Sequence, residues 1–506
     1  MCHLLELDAQ WGCYLRLPSP IPYSYQITCF RSKMAVSLAW CFFCCHCLPL
    51  LLSLALPLHL AYGKPNSDVH VFSIHDMLPK SICSSSEASA SSNSSRLQVV
   101  HRHGPCSPFS DGPKVSHGQL LDTDQARVDT FHVRVSAAAA AAHVDKLSSS
   151  PAVTIPARTG IPLGTGNYLV TVGFGTPRRD SSVIFDTGSD VTWIQCAPCN
   201  VCYTQEEPVF DPAESSTYSA VPCSSADCGR LDSHSCSAAS TCRYDVQYGD
   251  NSQTQGTFGR DTLSLSTSPS DVLPDFEFGC GDANSGLFGR SAGLIGLGRG
   301  SVSLVSQAAR KYGAAFSYCL PSGSSSVGYL TIGRRSPANT KYTPMLTVPG
   351  LPSFYFVSLT AIKVGGKPLP IPKTVFSTAG TLVDSGTVIT RLPPTAYAAL
   401  RTAFSQRMAQ YSPAPALAIL DTCYNFTGYE KVAVPTVELV FGRGATLNVD
   451  FSGILYVASV SQACLAFAAN DRADDVAIIG NVQQRTHNVV YDVIRRKIGF
   501  GAKACN

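Results

Sequence analysis

Two short stretches carry residues that could do chemistry. Val183-Ile184-Phe185-Asp186-Thr187-Gly188-Ser189 and Thr381-Leu382-Val383-Asp384-Ser385-Gly386-Thr387 each run apolar residues into an Asp, a hydroxyl residue, a Gly and a second hydroxyl residue. A second apolar run follows each copy: Val191, Trp193 and Ile194 in the first, Val388 and Ile389 in the second. The pattern reads as a buried strand, a tight turn bearing a carboxylate and a returning strand. Gly lets the turn bend and lets another backbone come close, and the hydroxyls can donate hydrogen bonds that lock the loop. Asp-Ser/Thr-Gly is also ordinary turn chemistry, but surface turns are not usually wrapped in apolar residues on both sides. Two carboxylates held close cannot both ionise cheaply, so one pKa falls and the other rises. The ionised member can act as a general base on water, and the protonated member can polarise a carbonyl. Such a reaction needs no covalent intermediate, metal or cofactor.

The elements that must position these turns are legible around them. Asn167 to Pro177 alternates like a strand and ends in a turn. Gly293-Leu294-Ile295-Gly296-Leu297-Gly298 could suggest a dinucleotide loop, but the strand before it and the acidic residue after it are not evident. Ile478-Ile479-Gly480 supplies a matching apolar-apolar-Gly segment after the second turn. Both halves thus carry the same pair of signals in the same order, which looks like a diverged duplication. Phe354 to Leu359 reads as a strand, and Tyr491-Asp492-Val493 and Ile498-Gly499-Phe500 read as closing strands. Pro394 to Gln410 reads as a helix with Pro near its start and Tyr397, Leu400 and Phe404 on one face.

With 506 residues the chain can bury a large core. Its formal net charge is +3, and it has no Lys-rich run, which argues against a nucleic-acid partner. Only His234 and His487 lie after position 150, which disfavours a multi-histidine metal site there and leaves Ser-His-Asp chemistry two candidates. Cys196, Cys199, Cys202, Cys223, Cys228, Cys236 and Cys242 form a cluster that could hold zinc or form disulfides. An apolar stretch from Ala35 to Leu60, with Arg31 and Lys33 before it and small residues near Ala61–Gly63, reads as a secretory signal peptide. The rival is a membrane anchor; Pro49, Pro57 and the cleavage-like end favour the signal. An oxidising route then favours disulfides over zinc.

From about Gly160 to Cys505 the chain resembles the pepsin-type aspartic proteases, and more closely their plant nepenthesin-like, atypical branch. The resemblance implies a mainly all-β, bilobal pepsin-like aspartic protease fold with a catalytic cleft between two related lobes. It implies Asp186 and Asp384 as the catalytic pair, with Thr187, Gly188, Ser189, Ser385, Gly386 and Thr387 supporting the loops. Tyr248 matches the flap tyrosine, with Trp193 behind it; Asn251 departs from the Gly often found at the flap tip. The apolar-Gly segments would thread beneath the two loops. The family pattern implies disulfides Cys196–Cys199, Cys202–Cys280, Cys223–Cys242, Cys228–Cys236, Cys319–Cys505 and Cys423–Cys464. The expected substrate is a polypeptide, the expected state a monomer, and no metal or cofactor is implied. The rival readings are a non-catalytic xylanase-inhibitor-like binder and a plastid DNA-binding member of the same family.

The expected division is an upstream extension at 1–33 with Met34 as a second start, a signal peptide at 34–63, a pro-segment at 64–150, a first lobe with Cys-rich insert and flap at 151–340, and a second lobe at 341–506. Asn93 and Asn425 open glycosylation sequons. The chain would be secreted to the apoplast or sent to the vacuole; its long apolar leader disfavours the plastid. Within the pro-segment, a Ser-rich tract runs from Ser84 to Ser95, Leu97 to Val100 could be a strand, and Leu121 to Lys146 has helical composition, with Leu121, Ala126, Val128 and Val133 apolar. The rival is a disordered stalk. His101, Arg102, His103, His117, His132 and His143 suggest that this segment masks the cleft carboxylates at neutral pH and leaves on acidification, with a cut between about Ala142 and Gly160.

Overall fold

The computed structural model describes residues 68–78, 80–84, 96–109, 115–144, 168–248, 252–334, 339–377, 380–502, 504 and 505. The upstream extension, the signal peptide, Asn93, Asn251 and nearly all of the expected cut region lie outside the described residues. All described residues fall in one compact unit, Asn66–Asn506.

The first half builds most of a 15-stranded sheet. Tyr168–Phe174 and Arg179–Asp186 form its opening antiparallel pair, turning at Gly175 with φ 80°. Gly293–Gly296 runs parallel to the second of these, with Gly296 opposite Asp186, and antiparallel to Trp193–Gln195. The second half repeats the plan in a six-stranded sheet. Ala477–Ile479 runs parallel to Thr381–Val383 and antiparallel to Thr390–Leu392. These central strands are buried on both faces, so they read as continuous apolar runs rather than alternations. The two halves are stitched together where Asn488–Asp492 pairs with Ala315–Cys319. The helix Pro394–Arg407 buries Ala396, Tyr397, Leu400 and Phe404, and Pro394 fits its first turn because that position needs no N–H.

The residues before 150 are woven into this body. Val69–Ser73 pairs antiparallel with Lys431–Pro435 of the second half. Arg96–His101 inserts between Val327–Ile332 and Tyr168–Phe174, and its Val99 is fully buried. His117–Val144 is a 28-residue helix. Its start is fixed by a capping box: the Ser116 hydroxyl accepts from the Gln119 amide at 3.2 Å, and the Gln119 side chain accepts from the Ser116 amide at 3.0 Å. Leu121, Asp124, Arg127, Val128 and Phe131 make its buried face, at helical spacing. Leu121 packs on Val388 and Ile389, while Val128 and Phe131 pack on Phe354, Phe356, Leu382 and Ile478. Val133, expected among the apolar positions, is 49% exposed, because at about 100° per residue it falls on the opposite side of the helix from this face.

The disulfides depart from the expected pairing at four of six places. Cys196 follows a strand that lies parallel beside Val272–Ser285, with Ile194 opposite Cys280, so Cys196 bonds Cys280 rather than Cys199. Cys199 then closes a local loop with Cys202, which is therefore not joined to Cys280. Cys228 and Cys242 are both fully buried and bond each other, while Cys223 and the exposed Cys236 bond nearer the surface. Depth, not order along the chain, sorts these four. Cys319–Cys505 and Cys423–Cys464 form as expected, and Cys83–Cys106 adds a bridge inside the segment before the body.

Candidate active site

Asp186 ends one buried strand and Asp384 directly follows another, and each side chain is held by the turn that follows it. The Gly188 amide donates to Asp186 Oδ1 at 3.0 Å. The Gly386 amide donates to Asp384 Oδ1 at 3.2 Å, and the Thr387 amide and hydroxyl donate to Asp384 Oδ2 at 2.9 and 2.6 Å. The two turns also hold each other. The Ser385 amide donates to the Thr187 hydroxyl at 2.9 Å, and the Thr187 amide donates to the Ser385 hydroxyl at 3.2 Å. Ser189 differs from its counterpart Thr387: its oxygen lies near enough to Asp186 to favour the ionised carboxyl but outside hydrogen-bond geometry.

Beneath each loop the apolar-Gly segment does the same job. The Gly296 amide donates to the Thr192 hydroxyl at 3.3 Å, and the Gly480 amide to the Thr390 hydroxyl at 3.0 Å. Both threonines stand six residues after their Asp. A Cβ at Gly296 would strike the Asp190 backbone, and one at Gly480 would strike the Val388 backbone. Glycine is required there because two chains pass at backbone contact. The floor is completed by Gln484, which donates to the Asp384 carbonyl at 3.0 Å, and Asn481, which donates to the Ser385 carbonyl at 3.0 Å. Neither was legible as a site residue, since a lone buried amide leaves no pattern.

Arg127, on the helix His117–Val144, lies between the two carboxylates. Its Nη2 donates to Asp186 Oδ1 at 2.7 Å and to Asp384 Oδ2 at 3.0 Å, and its Nε donates to Asp384 Oδ2 at 3.1 Å. Burial pushes the Asp186 carboxyl up; the Arg127 guanidinium opposes this, and the Asp384 charge adds to it. The basic groups expected to mask the carboxylates sit elsewhere. Arg102 donates to the Leu287 carbonyl, His117 meets the Tyr456 hydroxyl, and His132 faces Asp475 at 3.5 Å. The ring of His101 packs edge-on against Tyr168, His103 stands beside it, and the side chain of His143 lies outside the described residues. Arg127 could have been found as the one cation within the apolar stripe Leu121, Val128, Phe131.

Trp193 Nε1 donates to the Tyr248 hydroxyl at 2.8 Å, and Phe288 packs against both rings. Tyr248 directly follows the strand Cys242–Gln247 that leads to the hairpin tip, whose residues 249–251 lie outside the described residues. Asn425 is half-buried, with its side-chain oxygen accepting from the Thr427 amide.

Two family profiles match the chain, one described as xylanase inhibitor N-terminal over residues 168–334 and one as xylanase inhibitor C-terminal over residues 354–502. The chain is 47% identical over 450 residues to an aspartyl protease family protein of Arabidopsis thaliana, covering 87% of this chain and 94% of that one. It is 36% identical over 370 residues to aspartic proteinase nepenthesin-2 of Nepenthes gracilis, covering 71% and 82%. Among solved structures, a protein named edgp matches with TM-score 0.57 at 21% identity, over 66% of this chain and 91% of that one. Basic 7S globulin from soybean matches with TM-score 0.54 at 23% identity, over 67% and 91%. At those identities the solved structures show a shared mostly-β, bilobal pepsin-like fold and nothing of activity.

Proposed function

From the membership of this chain in the pepsin-like aspartic protease family of plants, we propose that it is an aspartic endopeptidase made as a zymogen. The observation that carries the reading is Arg127 between Asp186 and Asp384. A guanidinium that satisfies two facing carboxylates occupies the place where water and a scissile carbonyl would have to sit. Once the helix leaves, the pair shares a proton at acid pH. The ionised carboxyl takes a proton from water as water attacks the peptide carbonyl, and the protonated carboxyl donates to the carbonyl oxygen. Tyr248, held by Trp193, closes over the substrate from the flap. Thr187 and Ser385, by bonding each other's loops, keep the two carboxyls in register.

Seven disulfides among the described residues support a secretory route, since such bonds persist in oxidising compartments. Among the described residues no helix is long and apolar enough to cross a membrane. The test is hydrolysis of an unfolded protein by the acid-treated proform. Asp186→Asn and Asp384→Asn should each lower the rate by about 10³-fold or more with the fold retained, because each removes one half of the acid–base pair. A second reading, a binding protein that inhibits xylanase, is favoured by the profile descriptions; xylanase inhibition by wild type and both Asn variants alike, with no hydrolysis, would establish it instead.

A further inference from the structure

Arg391 is a fully buried cation whose only acidic partner among the described residues belongs to the departing helix. Its Nη2 lies 3.0 Å from Asp124 Oδ2, and both side chains are 0% exposed. Nη2 also meets the Gln125 side-chain oxygen at 3.3 Å, Nη1 donates to the Ile389 carbonyl at 2.9 Å, and Nε has no hydrogen-bond partner among the described residues. Asp124 accepts as well from two backbone amides of the body, Val388 at 2.5 Å and Ile389 at 3.0 Å. One carboxylate thus fills a cradle of two adjacent amides and a guanidinium. These amides directly follow Thr387, which touches Asp384. Asp124 precedes Arg127 by one helical turn, about 5 Å along the axis, which an extended peptide covers in one or two residues at about 3.3 Å each.

We propose that this cradle is a substrate subsite for an acidic side chain, with Asp124 standing in for the substrate's carboxylate in the zymogen. The inference rests on the protease reading above. When the helix departs, Arg391 keeps a single carbonyl acceptor, and the Val388 and Ile389 amides lose theirs. An Asp or Glu within about three residues of the scissile bond restores all three interactions. An Asn or Leu there leaves a desolvated cation unanswered, which is how a site built for a charged group rejects its neutral analogue.

The experiment uses the acid-processed enzyme and peptides differing only in Asp, Asn or Leu at each of the three positions on either side of one cut. At one position Asp should raise kcat/KM at least tenfold over Asn at pH 5. Arg391→Gln should abolish the ratio while the Leu peptide is still cut. Should that variant fail to fold, the wild-type ratio decides. The same peptides with a reduced, uncleavable bond give Kd by calorimetry. Tenfold tighter binding of Asp than Asn without any hydrolysis would uphold the subsite and sink the protease reading. Equal rates and equal Kd for Asp and Asn at every position would overturn the subsite.

Discussion

At the scale of single residues, Arg127 and Asp124 respond to pH with opposite signs. Arg127 favours the Asp186 carboxyl in its ionised form, whereas an open dyad holds a shared proton. Its contribution to docking the helix is therefore present at neutral pH and lost as pH falls through the dyad's pKa values. Asp124 is the reverse. Burial holds its carboxyl above the ordinary 3.8 despite Arg391 and the two amide donors. A raised carboxyl means the docked state binds more protons, so its contribution grows as pH falls. Acid release must then come from Arg127 and not from Asp124. Arg127→Gln should weaken docking by roughly 3–5 kcal/mol at neutral pH, as breaking a buried ion pair does, and by progressively less toward pH 3. The check is the lag before peptide hydrolysis by freshly diluted proform: the variant should show none at pH 6, where wild type stays silent. A lag identical to wild type would show that Arg127 does not mask the dyad.

At the scale of elements, the strand Arg96–His101 carries the second acid-sensitive feature. Burial holds the His101 imidazole well below its usual 6.5, with the charges of His103, Arg485 and Arg102 adding to the effect. His103, exposed beside it, is lowered to about 4 by partial desolvation and the Arg102 charge. For a base with a depressed pKa, stability is present above the ordinary value and lost as pH falls toward the folded one. The strand should therefore loosen between about pH 6.5 and 4. Hydrogen-exchange protection of its amides, corrected for intrinsic rate, should drop across that window and stay flat in His101→Asn; an equal drop in the variant would exclude His101 as the trigger. Two of the histidines read from the sequence as masking groups, His101 and His103, thus lie at this strand rather than at the dyad. The elements themselves were legible wherever one residue pattern sufficed: the twin Asp turns, the apolar-Gly strands and the Pro394 helix; the Trp193–Tyr248 pair came from the family resemblance. What escaped depended on the meeting of distant segments. Gln484 and Asn481 become floor residues only after the second half closes on itself, and the Cys196–Cys280 and Cys228–Cys242 bonds follow from depth and sheet register, which spacing does not encode.

At the scale of the whole molecule, the segment before residue 150 joins both halves before it masks anything. Val69–Ser73 adds a strand to the second half through five register pairs. Arg96–His101 fills the gap between Val327–Ile332 and Tyr168–Phe174 with five pairs on one side and two on the other. Leu97 and Val99 enter the main core there beside Val170, Leu330 and Ile74. Without these strands, the edge of Val327–Ile332 presents unpaired N–H and C=O groups, and each one left buried and unsatisfied costs about 1–3 kcal/mol. An open edge of that kind is also a template for pairing with other chains. A chain lacking residues 64–150 should therefore refold poorly from denaturant, giving aggregate at concentrations where the full chain gives monomer. A chain lacking only the cleft helix, with residues 64–114 retained, should refold well, because both strand pairings survive. Monomer yield by size exclusion after dilution separates the two. Equal yields from the two truncations, whether high or low, would show that these strands are not what the body needs in order to fold.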